Sequence, residues 1–175
     1  MLDFKDWIFT EEAKKLSFVL ADLPNQIFLK WIKKNIKNKS LFEEKGIEEE
    51  THVTVIANLE TENPKLVEKI LSDTKEFEIK LGKISMFTSN EKFDVLKIEV
   101  VSKELLKIHN LLKNKIPNIQ NHEFKPHCTL AYLRKGEHKD LIDNPYFLNK
   151  KYKIKKLLFS NSLREKTEIN LKRNI

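Results

Sequence analysis

Two short segments carry residue types suited to acid–base chemistry: Thr51-His52-Val53-Thr54-Val55 and Pro126-His127-Cys128-Thr129-Leu130. Side chains alternate across a strand, so a histidine and a threonine two apart share one face. The residues between and after them, Val53 and Val55 or Cys128 and Leu130, then turn to apolar packing. Cleavage of a phosphodiester needs one group to take a proton from the attacking hydroxyl or water. A second group must protonate the departing oxygen on the far side of phosphorus. An unperturbed imidazole titrates near pH ~6.5, so two of them can divide the work, each transfer contributing about 10²–10⁴-fold. The threonine hydroxyls can donate to the non-bridging phosphate oxygens, where charge must be held in a pre-arranged site. One His-x-Thr strand says little, because strand histidines are commonly structural. Two copies in matching surroundings carry the argument.

Those surroundings recur along the chain. Leu16–Ala21 reads as a buried strand, and Asp22 and Pro24 suit a helix start before Ile27, Phe28, Trp31, Ile32 and Ile36 at helical spacing. Lys37 to Glu50 is polar and is expected as a loop, and His52–Leu59 is β-branched and strand-like. Asn63-Pro64 fits an N-cap and first-turn proline, opening a helix with Leu66, Val67, Ile70 and Leu71 inward. Long strands follow at Phe77–Thr88 and Phe93–Val101. Ser102 then caps a helix with Leu105, Ile108 and Leu112, stopped by Pro117. Pro126–Leu133, Lys151–Asn161 and Thr167–Leu171 read as the remaining strands. Strand, helix, His-x-Thr strand and hairpin thus occur twice, once from Leu16 to about Val100 and again from Phe93 to Leu171, sharing a strand. Phe87 lies 35 residues after His52, and Phe159 lies 32 after His127. Two similar lobes facing each other are expected.

The bulk numbers agree with one domain over residues 1–175, made of those two lobes. With 33 Lys+Arg against 26 Asp+Glu, the net charge of +7 favours an anionic partner, although lysine-rich surfaces also serve solubility. The single cysteine, Cys128, rules out an internal disulfide and suits a reducing compartment. Met1–Thr10 has no apolar core and does not read as a secretory signal, and no apolar run approaches a membrane span. A cytoplasmic location is expected, with no obligate protein partner. Only 3 glycines are present, so no Gly-rich phosphate loop of the Walker or dinucleotide type is found.

Further candidates are less specific. Lys125 and Arg134 flank the second motif strand and are candidate phosphate contacts. Phe87 and Phe159, at equivalent places in the two copies, are candidate cleft-lining aromatics, although a strand phenylalanine is more often core. Tyr132 faces away from His127 by strict alternation and is expected in the core. His109 lies on the apolar stripe of its helix and reads as half-buried and structural. His122 and His138 fall in polar loops, where solvation is expected. There is no His-x-His, no His-Glu-x-x-His and no cysteine pair, so no metal site and no cofactor are expected.

HVTVIANLE and PHCTLAYL resemble the paired signatures of the two-histidine (2H) phosphoesterase superfamily, which includes 2′-5′ RNA ligase-like proteins and cyclic phosphodiesterases. LSFVLADLP, GKISMFTSNEKFDVLKIEV and LLFSNSLREKTEINL are similar to the corresponding pieces of small bacterial and phage members, so the resemblance covers nearly all the chain after Leu16. It implies an α+β, bilobal fold of pseudo-twofold symmetry, with antiparallel sheets lining a central cleft and helices outside. It implies His52 and His127 as the catalytic pair and Thr54 and Thr129 as phosphate-holding residues. Cys128 departs from the aliphatic expected there, on the packing side. Implied substrates are 2′,3′-cyclic phosphates at RNA ends or 2′-5′ linkages, cleaved without metal. Cyclic oligonucleotide immune signals, and RNA or nucleotide binding without cleavage, are the alternatives. Ligation would be reversal of cleavage.

Overall fold

The structure, a computed structural model, describes residues 16–119 and 123–173. Met1–Thr10 and His122, for which expectations were stated above, lie outside the described residues. The elements are β1 (Ser17–Asp22), α1 (Asn25–Asn35), β2 (His52–Leu59), α2 (Pro64–Ile70), β3 (Phe77–Phe87), β4 (Phe93–Val101), α3 (Lys103–Lys115), β5 (His127–Arg134), β6 (Lys151–Ile154), β7 (Lys156–Ser160) and β8 (Lys166–Asn170).

Helix ends follow local chemistry where the sequence supplies it. Asn63 accepts from the Lys65 amide with Pro64 in the first turn of α2, and Ser102 accepts from the Leu105 amide at 3.2 Å to open α3. Replacing Ser102 by alanine should cost about 1 kcal/mol, read as a lower denaturation midpoint at unchanged m-value. Asp22 is the last residue of β1 rather than a cap, and α1 begins after Pro24 with no side-chain cap. The apolar stripes point inward as spaced: Phe28, Trp31 and Ile32 on α1, and Leu105, Ile108 and Leu112 on α3, are buried. Leu66 is the exception, at 38% exposed.

The strands form one 8-stranded sheet in the order β6-β3-β4-β5-β2-β1-β7-β8, with every strand pairing antiparallel. The expected pair of sheets is therefore a single sheet, with the two motif strands at its centre. The expected strand Lys151–Asn161 is interrupted at Lys155, and its halves pair on opposite sides of that sheet, β6 with β3 and β7 with β1. In a flat sheet six interstrand spacings would separate β6 from β7 by about 29 Å. One residue links them, so the sheet must curl.

The centre of the sheet is thin. Val53 pairs with Cys128, the one register pair joining β2 to β5 among the described residues. Beyond it the strands part, and loops take over their free backbone groups. On β5, the Phe42 amide donates to the Tyr132 carbonyl at 2.9 Å, the Tyr132 amide to Gly46 at 2.8 Å, and the Glu48 amide to Leu130 at 2.9 Å. At the end of β2 the Ile119 amide donates to the Asn58 carbonyl at 3.2 Å, and just past it the Glu60 amide donates to the Pro117 carbonyl at 2.9 Å. The polar stretch Lys37–Glu50 is thus a loop that completes β5, turning at Gly46 with φ of +66°, where a side chain would be strained. The hydrophobic core lies on the helix-bearing face of the sheet and includes Val19, Val53, Val55, Ile98, Cys128 and Leu130.

Candidate active site

His52, Thr54, His127 and Thr129 are all partly exposed, whereas Val53, Val55, Cys128 and Leu130 between them are buried. Because Val53 faces Cys128 antiparallel, His52 sits beside Thr129 and Thr54 beside His127. The two histidines are then diagonal neighbours on one face, a separation of about 7–8 Å between backbones.

Both rings are held the same way. Nδ1–H of His52 donates to the Glu50 carbonyl at 2.6 Å, and Nδ1–H of His127 to the Lys125 carbonyl at 2.8 Å. A carbonyl oxygen can only accept, so the neutral rings carry the proton on Nδ1 and keep the Nε2 lone pair for the open face. That bond persists in either protonation state, so proton transfer at Nε2 needs no ring reorientation.

A second shared feature escaped the sequence reading. On β1, Leu20 pairs with Thr54 while the next residue back, Val19, pairs with Ile56, leaving Val55 as a bulge. On β4, Lys97 pairs with Thr129 while Leu96 pairs with Ala131, leaving Leu130 as a bulge. Each motif strand thus bulges one residue after its threonine, which bends the strand and ends the alternation there. The Val55 carbonyl accepts from His109 Nδ1 at 2.8 Å, and His109 stacks on Phe124 with ring centroids 4.1 Å apart. His109 is structural, as expected, but fully rather than half buried.

The bulge at Leu130 reverses the reading of Tyr132. It is buried as expected, yet its pairing with Val95 puts it on the histidine side, beneath Phe93 and Lys45. Register also separates the two phenylalanines. Phe87 meets the His127 ring edge-on at 5.0 Å, whereas Phe159 is 1% exposed in the core. The pairings equate Phe87 with Ser160 and Met86 with Phe159, because the first pair lies opposite Val95 and Phe18 and the second opposite Leu96 and Val19. A one-residue slip in matching β3 with β7 exchanges faces.

Arg134 does not reach this site. Seven residues along β5, about 23 Å from His127, it pairs with Glu43 at 2.5 Å. Lys125 is exposed next to His127 and pairs with Glu123 at 3.3 Å. His138 is not solvated as expected, since its Nε2 is buried without a partner.

The surroundings of the two histidines differ. Facing His127 are Lys97 and Glu99 from β4, and Ser85 and Phe87 from β3. At the matching positions beside His52 stand Leu20 and Asp22 from β1, and Leu158 and Ser160 from β7. Burial above all pushes the His127 imidazole below its ordinary pKa, with Lys97 and His52 acting the same way and the Lys125 carbonyl opposing. Burial raises the Asp22 carboxyl, against the pull of Lys166 and His52. It also raises the Cys128 thiol, which stays protonated and inert. Among the described residues, no group of three or more His, Cys, Asp or Glu is placed to hold a metal ion, and no helix is long and apolar enough to cross a membrane.

The two His-x-Thr strands thus stand side by side at the centre of one curled antiparallel sheet. The sequence pattern of the 2′-5′ RNA ligase superfamily matches residues 37–151, and the chain belongs to that superfamily of 2H phosphoesterases. Solved structures share the fold at low identity. Apo LigT from E. coli is 17% identical, covering 90% of this chain and 95% of its own, with a TM-score of 0.61. TT0787 of Thermus thermophilus is 16% identical, covering 82% and 86%, with a TM-score of 0.61. Kluyveromyces marxianus Usb1, solved with uridine monophosphate, is 11% identical, covering 91% and 99%, with a TM-score of 0.58. No curated protein matches the chain significantly.

Proposed function

We propose that this protein is a metal-independent phosphodiesterase cleaving RNA-type diesters, either 2′,3′-cyclic phosphates or 2′-5′ linkages, with His52 and His127 as its acid–base pair. The carrying observation is the pairing of Val53 with Cys128, which sets two identically tethered imidazoles diagonally on one face of the sheet. The symmetric strand order about that pair supports a duplicated, pseudo-twofold, two-lobed architecture. LigT from E. coli has been solved with 3′-AMP and Usb1 with uridine monophosphate, ligands of the class this reading requires.

His127, held neutral by its surroundings, serves as base at the attacking oxygen, and His52 as acid at the departing one. For a cyclic phosphate, water loses its proton to His127 Nε2 as its oxygen bonds to phosphorus. The ribose–phosphorus bond on the opposite side breaks, and His52 protonates the freed oxygen. For a 2′-5′ linkage the neighbouring 3′-hydroxyl attacks, giving a cyclic phosphate and a free 5′-hydroxyl. Thr54 and Thr129 donate to the non-bridging oxygens.

A base acts only when deprotonated, so kcat/KM rises with pH through the pKa of His127 in the free enzyme. As that pKa lies below the ordinary value, the acidic limb of the pH profile is expected below pH ~6.5. Turnover measured on 2′,3′-cyclic, 2′-5′ and cyclic dinucleotide substrates tests the assignment. Binding without cleavage of any of them would refute it.

A further inference from the structure

Lys97 lies in the middle of β4 between Leu96 and Ile98, and only 7% of its surface is exposed. Its Nζ donates to Ser85 Oγ at 2.7 Å and stands 4.3 Å from the centre of the Phe87 ring. Among the described residues no carboxylate is ion-paired with it. The buried carboxylate Asp94, by contrast, has an opposite charge, the Lys135 ammonium at 2.8 Å, as well as the Gly136 amide at 2.8 Å. An ammonium offers three donors, and a buried one without a counter-charge is costly. Ser85 and Phe87 hold this one in place without neutralising it.

Its position explains the missing partner. Lys97 pairs with Thr129, beside His127, so its head group lies on the open face of the motif strands. At the corresponding position in the other half stands Leu20, clustered with Phe18 and Leu158. The two halves are therefore alike in histidine, threonine, ring tether and bulge, but unlike in charge.

We propose that Lys97 is a substrate-binding residue whose ammonium takes a non-bridging oxygen of the scissile phosphate, drawing the phosphoryl charge to the His127 side and so fixing which histidine is the base. The inference rests on the phosphodiesterase reading and deepens it. The charged or titratable groups around His127 and Lys97 are Glu99 on β4, His52 on β2 and Lys125 ahead of β5. Glu99 is opposed to Lys97 in sign but exposed, so it leaves room for an anion. An incoming phosphate supplies the absent negative charge and releases the strain of burying a cation alone.

The test compares wild type with Lys97→Met, which keeps length and removes charge, and Lys97→Arg, which keeps charge. Affinity for adenosine 3′-monophosphate is measured by calorimetry, and KM and kcat on adenosine 2′,3′-cyclic phosphate. Loss of a charge-assisted hydrogen bond should weaken monophosphate affinity and raise KM about 10- to 100-fold in Lys97→Met. Lys97→Arg should stay within a few-fold. The acidic limb of kcat/KM should move to higher pH in Lys97→Met, since a cation that disfavours protonation of His127 is gone. A folded Lys97→Met with wild-type affinity and KM overturns the proposal while leaving the phosphodiesterase reading intact. A wild-type chain that binds the monophosphate but cuts nothing sinks the reading, and the affinity comparison still decides Lys97. A chain that neither binds nor cuts refutes both. In the unaltered protein, the ¹³Cε signal of Lys97 should shift on adding the monophosphate. Movement of the His127 ring signals alone would also overturn it.

Discussion

Replacing His52 or His127 by alanine is expected to lower kcat by about 10²–10⁴-fold, while substrate affinity changes little. In the proposed scheme each imidazole contributes only at the moment a proton moves. Its Nδ1 is engaged with the Glu50 or Lys125 carbonyl, so the alanine variant loses the proton-transfer group and one backbone hydrogen bond at a partly exposed position. The loss of stability should therefore be small. The double variant should be barely slower than the worse single one, because a reaction that needs both acid and base is already crippled without either. The same assays with a strong chelator present should show undiminished wild-type turnover. Loss of activity on chelation would defeat the two-histidine scheme, as would near-normal turnover in either alanine variant.

Phe28→Ala and Phe147→Ala are each expected to destabilise the fold by about 3–5 kcal/mol, against a total of about 5–15 kcal/mol for an ordinary domain. Both rings are 0% exposed and stack at 5.2 Å with planes 17° apart, while Trp31 meets Phe147 edge-on at 5.5 Å. Phe147 belongs to the connection between β5 and β6, and Phe28 to α1, so this contact ties a long connection to the helix layer. The Asn149 amide, donating to the Leu81 carbonyl at 2.9 Å, fastens the same connection to β3. Truncating either ring leaves a cavity that the other cannot fill. Because the two share that contact, the double variant should cost less than the sum. Urea unfolding checks the prediction through a lower midpoint. The cluster lies on the helix-bearing side, away from the histidines, so KM of the folded fraction should be unchanged. A shift of under about 1 kcal/mol would mean that this connection is not anchored through Phe147.

Much of this was legible in the residues. Apolar spacing located the three α-helices of the described residues and the strands that carry the motifs, because burial of one face imposes a period of 3.6 or 2. Asn63-Pro64 and Ser102 marked helix starts, because orphan amides need an acceptor within reach. The residues misread are those whose place depends on strand register. Distance along the chain and strict alternation misplace Phe159, Arg134 and the face of Tyr132. The bulges at Val55 and Leu130 break that alternation, and strand register sets Ser160, not Phe159, at the position equivalent to Phe87. Lys97 did leave a trace, a cation inside the apolar run FDVLKIEVV. Nothing nearby in sequence says that it stands across from Thr129.

The sequence alone determined the chemical inventory: two imidazoles and two hydroxyls, each pair on one face of a strand, since strand alternation is a local property of the backbone. Only the tertiary structure decided that those strands meet through Val53 and Cys128, that Lys155 carries the chain between opposite sides of a curled sheet, and that one half holds Lys97 where the other holds Leu20. Long-range pairing follows from how the whole core packs and how every backbone group finds a partner. Such contacts are summed over the fold rather than written at any one position.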